Sequence, residues 1–513
     1  MLVAALATVV AACGQAPAPP PSLRPEATLA WGPTATQWDE ALADAEALTD
    51  AEASALVVMP GFAGTSPEDL DRLLHAGYGG VLLQGGSLVD EETVTALTRA
   101  ARARSGSDRG TLVALDQEGG NVDGLGGVLP SLPSFMAAGA AGDPQTVSDT
   151  FGAMGLRMVD LGFTLDFAPV ADVTIGPQDP TIASRAASDD PGRVTEAVLA
   201  ASAGLSAAGV VPVVKHFPGH GSVMTDSHLG LPVQEAAVAE LAERDLVPFV
   251  AAIDAGAPAV MMGHIVVPEW SDEPATLAPA AYAYLRDELG FDGLVVTDAL
   301  TMAAAADGRG PGEIAVLALA AGADVLLAPA DPSAAVDGVA AAVGSGTVPR
   351  ERLTEAAARV ILLARWQQQL VSEATARPDP DGYALRLAAA GLTVAAADCA
   401  LAPLTEAAHV TGGFAWERHF LSQELGSRGI EISPAGTRVH LSQGLSGASS
   451  ADVVVAVDAP WWLETVSADT YLGLYGRSRD SYVALAEVLT GRADAPGTWP
   501  VDLSLPYEVC AAS

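Results

Sequence analysis

The richest chemistry in this sequence is packed into "KHFPGHGSVMTDSH", residues 215–228. The stretch holds three of the eight histidines (His216, His220 and His228) and Lys215, the only lysine among 513 residues. Every other basic residue counted is arginine, so a compact ammonium is kept here where a planar guanidinium fork would not fit. Compositional drift that left one lysine behind is the bland alternative. Asp226 and His228 lie two apart, and in an extended loop residues two apart point to the same side. Asp226 can therefore orient the His228 imidazole and raise its pKa, which makes a proton donor at neutral pH. The glycines and Pro218 mark the segment as a loop. The same side chains, His216, His220, Asp226 and His228, are also ligand types that suit zinc. On spacing alone a metallohydrolase stays open.

Such a loop needs a scaffold, and short apolar runs supply one. They are "ALVVMP" (55–60), "GGVLLQG" (79–85), "LVALDQE" (112–118), "FTLDFAPVADV" (163–173), "VPVVKHF" (211–217), "AVMMGHIVV" (259–267), "GLVVTDAL" (293–300) and "DVLLAP" (324–329). Helically spaced segments such as "VTEAVLAASAGLSAAG" separate most of them. Near-continuous apolar strands alternating with helices argue for a parallel sheet covered on both faces. Eight such units fit a (β/α)₈ TIM-type barrel, with a doubly wound open sheet as the alternative. Polar residues gather at the C-terminal ends of these runs: Asp116 and Glu118, Asp166 and Asp172, Lys215 and His216, His264, Asp298. A barrel brings those ends around one mouth, where barrel enzymes carry their chemistry. Asp298 becomes a candidate nucleophile or base, although an aspartate that ends a strand can simply cap the next helix.

"ERLTEAAARVILLARWQQQL" reads as a closing helix and "ATARPDPDG" as a linker. The expected organisation is a leader and tether over 1–34, a catalytic barrel over 35–370, and a smaller α/β sandwich domain over 380–513. In that last part "LTVAAAD", "TRVHLSQG" and "DVVVAVDAP" read as strands, and "APWWLETV" as interface packing. No constellation of catalytic residue types stands out there.

The net charge of −38 repels nucleic acid and anionic lipid, so neither is an expected partner. An acidic surface needs no further function than solubility, and a monomer is expected. The apolar start of "MLVAALATVVAACGQAPAPPP" is too short to span a bilayer as a mature helix. It has the length and small-residue ending of a signal-peptide core, without the usual basic start. Val10-Ala11-Ala12-Cys13 resembles a bacterial lipobox, which would make Cys13 a lipidated residue. The Pro/Ala-rich run to Pro33 then reads as a tether. The expectation is an exported protein on the outer face of the bacterial cytoplasmic membrane, touching it only through the lipid. Cys399 and Cys510 remain as a pair for an oxidising compartment.

"KHFPGHGSVMTDSH" resembles the signature of the β-N-acetylglucosaminidases of glycoside hydrolase family 3. "ALDQEGG", "DFAPVADV", "SRAASDDP", "ERDLVPF" and "GFDGLVVTDALTM" resemble that family's other blocks in the same order, over about residues 50–370. The later segment resembles, more loosely, the second domain of longer members. The resemblance implies a retaining exo-β-N-acetylglucosaminidase acting on peptidoglycan fragments, with no cofactor. Asp298 would attack the anomeric carbon, and His228, supported by Asp226, would be the acid/base in place of a second carboxylate. Asp116, Arg185, Lys215 and His216 would hold the sugar hydroxyls, with His264 lining the pocket. Asn121 stands where members often have arginine after "DQEGG", and "VTIGPQDPTIASR" matches only loosely before Arg185. The family also contains phosphorylases and β-glucosidase-type enzymes, so phosphate stays open as an acceptor. A sugar-binding lipoprotein without catalysis is the reading from another class, and it would have no need of Asp298 apposed to His228.

Overall fold

The computed structural model describes residues 28–103, 110–227, 229–306, 308–373, 382–399, 404–442 and 450–510. Cys13, His228 and most of the expected linker lie outside the described residues.

Eight parallel strands form the first domain: β1 (Val58–Met59, continued by Gly61–Phe62), β2 (Gly80–Leu83), β3 (Leu112–Leu115), β4 (Leu165–Asp166), β5 (Val211–Phe217), β6 (Ala259–Met262), β7 (Leu294–Thr297) and β8 (Leu326–Leu327). Neighbours pair in sequence order from β1 to β7. A bridge between Val296 and Val325 joins β7 to β8, and the Val58–Leu326 and Met59–Leu327 pairs close β8 onto β1. The ring is therefore a closed (β/α)₈ barrel, as the eight apolar runs implied. Strand β5 shows why the runs are so apolar, since all seven residues are buried, one face in the barrel and the other under helices. Several expected runs overshoot their strands. "FTLDFAPVADV" pairs regularly only at Leu165–Asp166, because Pro169 has no N–H to give a ladder.

The helices return the chain to the bottom of the barrel with recurrent signals. Helix Pro144–Leu161 is capped by Asp143 and ends at Gly162 (φ +94°), and helix Pro191–Ala208 is capped by Asp190 and ends at Gly209 (φ +93°). Aspartate accepts the orphan N–H groups, proline pre-sets the first turn, and glycine takes the left-handed exit. The expected tether ends earlier than Pro33. Trp31 is buried edge-on against Trp366 at 5.2 Å, and the Ala30 N–H donates to Asp292 at 3.1 Å. Burying a large aromatic is enough to hold that segment on the barrel floor.

The second domain is a six-stranded sheet: β9 (Thr393–Ala396), β10 (Ala407–Gly412), β11 (Glu431–Ile432), β12 (Thr437–Ser442), β13 (Ser450–Ala456) and β14 (Ser467–Gly473), in the spatial order β9-β14-β13-β12-β10-β11. All pairs are parallel except β9 with β14. Helices Tyr383–Gly391, Ala415–Ser427 and Arg479–Leu489 cover it. The two domains share one core, into which the second domain sends Tyr383, Tyr475 and Val501. Backbone bonds cross the boundary, from Ser134 N–H to the Tyr475 carbonyl (2.7 Å) and from Thr498 N–H to the Ala140 carbonyl (2.9 Å). Trp461 packs against the barrel, while Trp462 lies in the second domain's own core.

Cys399 and Cys510 are joined by a disulfide with a sequence separation of 111. Beside it the chain end runs against β9, with Cys510 N–H donating to Val394 at 2.8 Å. A loop of that length corresponds to about 4–5 kcal/mol in the chain-entropy account of cross-links. Cys399→Ser is expected to lower the unfolding temperature of the second domain, while thiol alkylation of the denatured, unreduced native protein labels neither cysteine. Two labelled thiols, or an unchanged melt, would contradict this.

Candidate active site

The C-terminal ends of the barrel strands surround a cavity of about 360 Å³. Asp116, Glu118, Arg185, Lys215, His216, His220, Ser227 and Asp298 all reach its wall, with Leu82, Ile182 and Met302 among its apolar neighbours. Five of the predicted residues are thus brought together: Asp116, Arg185, Lys215, His216 and Asp298.

Lys215 leaves β5 pointing into the mouth. Its side chain is only 2% exposed, with Nζ 2.8 Å from Asp116 Oδ1 and 2.6 Å from Glu118 Oε1. Glu118 also accepts a two-pronged contact from Arg185, at 2.8 Å (Nε) and 2.9 Å (Nη2). Two cations and two carboxylates therefore form one closed cluster, the arrangement that makes buried charge tolerable. Burial would raise the Glu118 carboxyl, but Arg185 and Lys215 outweigh it and hold it far below the usual carboxylate range. Burial works against the Lys215 ammonium, and Asp116 and Glu118 reverse that, so its pKa is raised and it stays charged.

Glu118 was placed at the mouth by sequence but given no role. The signal was its spacing: residues 116 and 118 share one face of an extended segment. The double glycine that follows explains the turn. Gly119 and Gly120 take φ +96° and +58° in the hairpin Gln117–Gly119/Val122–Asp123, and a Cβ on Gly120 would lie 2.2 Å from Ser134 Oγ. Only glycine takes that turn without strain.

His216 is oriented from behind by Asp172, whose Oδ2 lies 2.7 Å from Nδ1, while Oδ1 accepts the backbone N–H of His216 (3.2 Å) and of His220 (2.6 Å). Burial pushes Asp172 up, but His216 and His220 outweigh it and leave its carboxyl low. His220 Nε2 lies 2.9 Å from Ser227 Oγ. Burial, with His216 alongside, lowers His220 to about 4, so this imidazole is neutral at pH 7. Asp166 is buried beneath the cluster with Oδ1 on the Gln117 N–H (2.9 Å) and no hydrogen-bond partner at Oδ2. Burial pushes its carboxyl well above the usual range.

Asp298 follows β7. Its N–H donates to the Met262 carbonyl (2.9 Å), and its Oδ1 accepts the Ala299 N–H (2.7 Å). Burial alone would raise its pKa, but His264, His216, the Ala299 N–H and Lys215 together lower it, so the carboxylate is anionic. His264 was expected in the pocket wall and lies one layer behind it. It is fully buried, with Nδ1 2.7 Å from Thr276 Oγ1 and Nε2 3.1 Å from the Ala299 carbonyl. It is foremost among the groups that offset burial and lower the Asp298 carboxyl. Asp226 is partly buried next to Ser227, and its carbonyl accepts the N–H groups of Leu229 and Gly230. Among the described residues no group of three or more metal-ligand side chains gathers.

Lys215→Arg is expected to lower kcat/KM by about 10²- to 10³-fold, the scale of removing a well-placed charged donor. Two carboxylates already meet Nζ, so a longer planar fork must displace one of them or enter the cavity. Near-normal kcat/KM in a folded variant would make the lone lysine an accident.

The profile for the glycosyl hydrolase family 3 N-terminal domain matches residues 52–363. A β-hexosaminidase from Stenotrophomonas maltophilia is 38% identical over 280 residues, covering 53% of this chain and 82% of its own. The β-hexosaminidase LpqI of Mycobacterium tuberculosis is 37% identical over 289 residues, covering 54% and 74%. The solved glycoside hydrolase family 3 β-N-acetylglucosaminidase from Paenibacillus sp. FPU-7 superposes with a TM-score of 0.79 at 26% identity, over 89% of this chain and 99% of that one. With the charged mouth, the anionic Asp298 and the matched barrel all on the same chain, the protein belongs to glycosyl hydrolase family 3.

Proposed function

We propose that the protein is a retaining exo-β-N-acetylglucosaminidase that removes terminal N-acetylglucosamine from peptidoglycan fragments. The observation that carries this reading is the ionised Asp298 on the wall of the cavity that the Lys215–Asp116–Glu118–Arg185 cluster also lines. A cavity of about 360 Å³ sits at the small end of ligand pockets, which suits one terminal sugar rather than an extended chain. Related chains named β-hexosaminidase and a related solved β-N-acetylglucosaminidase support the choice of sugar.

In this reading Asp116, Arg185, Lys215 and His216 bind the ring hydroxyls, and Asp298 attacks the anomeric carbon to give a glycosyl-enzyme. His228, backed by Asp226, protonates the departing oxygen and then activates water. Export and lipidation at Cys13 belong to the same proposal, since the cell wall from which such fragments are released lies outside the cytoplasm. Loss of radiolabelled fatty acid incorporation in Cys13→Ser would support the anchor, and retained label would oppose it.

The deciding measurement is release of 4-nitrophenol from 4-nitrophenyl N-acetyl-β-glucosaminide, with the product followed by NMR. β-N-acetylglucosamine as first product supports the proposal. A sugar 1-phosphate formed on adding phosphate would make the protein a phosphorylase. No release at high enzyme concentration would leave a binder.

A further inference from the structure

We propose that Asp458 of the second domain is a positioning residue for the sugar site, holding in register the two barrel segments that carry Arg185 and Glu118. Asp458 follows β13, beyond the last strand residue, and does not line the cavity. Its carboxylate accepts from the Ser184 hydroxyl through Oδ1 and from Asn121 Nδ2 through Oδ2, the latter at 3.4 Å. Ser184 is fully buried and directly precedes Arg185, and Asn121 follows the Glu118-Gly119-Gly120 turn. One carboxylate therefore touches both sides of the Arg185–Glu118 pair from outside the barrel.

The segment before Arg185 needs an external hold. It sends Thr181, Ile182 and Arg185 to the cavity without belonging to a strand. Ala183 sits at φ +47°, a conformation that costs a non-glycine residue about 1–3 kcal/mol and persists only where its surroundings enforce it. Inside the barrel, Asp179 accepts the N–H groups of Thr181, Ile182 and Ala183. From the other side the second domain supplies Asp458, the Trp461 indole against Gly176, and the Pro500 carbonyl that accepts from Ser188 Oγ. The strained turn is thus gripped between its own aspartate and the neighbouring domain. Asn121 gains a partner here that only a chain with a second domain can offer.

In the proposed function Arg185, which Glu118 holds in place, binds the sugar before and during the reaction alike, so loosening the pair removes binding shared by ground and transition states. Such a loss raises KM and leaves kcat unchanged. This inference rests on the proposed function, and the experiment separates the two. In the full-length protein, Asp458→Ala is expected to raise KM for 4-nitrophenyl N-acetyl-β-glucosaminide and the dissociation constant of N-acetylglucosamine by about tenfold, the scale of a lost hydrogen bond to a charged group. The kcat and its pH profile should hold within about twofold, in line with uniform binding. Ser184→Ala, which leaves the apolar domain contacts intact, should reproduce most of the effect, and the double variant should add little to it. A lowered melting temperature with unchanged KM and sugar affinity in both single variants would reduce Asp458 to a structural contact and overturn the proposal. A fully additive double variant would overturn it too. If the native protein binds N-acetylglucosamine by calorimetry but never turns substrate over, the proposed function fails while the sugar-affinity comparison still decides the role of Asp458.

Discussion

Asp298→Ala is expected to lose roughly 10⁵- to 10⁶-fold in kcat, the scale of deleting a catalytic nucleophile. The carboxylate is held by the chain that ends β7, with its Oδ1 on the Ala299 N–H and its backbone N–H on the Met262 carbonyl, so its direction is fixed by the barrel itself. Its charge is fixed as well. Burial would raise the pKa, but His264 foremost, then His216, the Ala299 N–H and Lys215, draw it below the ordinary carboxylate value. A nucleophile with a depressed pKa stays ionised as pH falls until its own lowered value is reached. The acid limb of kcat/KM due to Asp298 should therefore lie below the ordinary range for aspartate of about 3.9. Among the described residues no other side chain on the cavity wall is an anion without a paired cation beside it, since Asp116 and Glu118 are bound to Lys215 and Arg185. Asp298→Ala should show no burst even with a dinitrophenyl glycoside, and no covalent sugar by mass spectrometry of a quenched reaction. Asp298→Asn should fold with the same melting temperature and be as inactive. A burst in either variant would place the nucleophile elsewhere.

The behaviour of Asp298 also shows how far a sequence can be read. Its position was legible because β7 is an unbroken apolar run and the first charged residue after it must face the mouth. Lys215 was legible by its rarity. What could not be read was partnership. Lys215 was expected to meet sugar hydroxyls, and the structure shows it spanning Asp116 and Glu118, which come from a different strand end 97 or more residues away in sequence. His264 was expected in the wall from the family resemblance and stands two residues past β6, yet Thr276 and the Ala299 carbonyl draw its ring behind the wall. The second domain was read from three apolar runs. Strands β10 and β14, "AAHVTG" and "SADTYLG", went unread because their mixed polar composition carries neither a clean alternation nor an apolar block. Asn121, which departs from the family pattern, meets Asp458 of the other domain, a partner no local reading of the sequence could supply.

His228→Ala separates the two steps that Asp298→Ala collapses. On 4-nitrophenyl N-acetyl-β-glucosaminide the loss should be roughly 10²- to 10⁴-fold, the usual range for removing a positioned acid or base. A dinitrophenolate leaves without protonation, so with that substrate the variant should still form the glycosyl-enzyme on Asp298 and stall there, giving a burst and then slow turnover. Azide needs no general base, so it should speed release as a β-glycosyl azide while leaving the native enzyme nearly unaffected. Asp226→Ala should fall between if, as proposed, its carboxylate backs the imidazole, since a carboxylate beside a histidine holds its ring and favours its protonated form. With that carboxylate gone, the basic limb of kcat/KM should move to lower pH, since the proton donor is lost earlier as pH rises. His220 is the natural control: it is held near 4 by burial and by His216, so it is neutral across that range and cannot supply the limb. An unmoved basic limb in Asp226→Ala, or a His228→Ala enzyme as dead as Asp298→Ala on the activated glycoside with azide present, would take the acid/base role away from the Asp226–His228 pair and return it to a carboxylate.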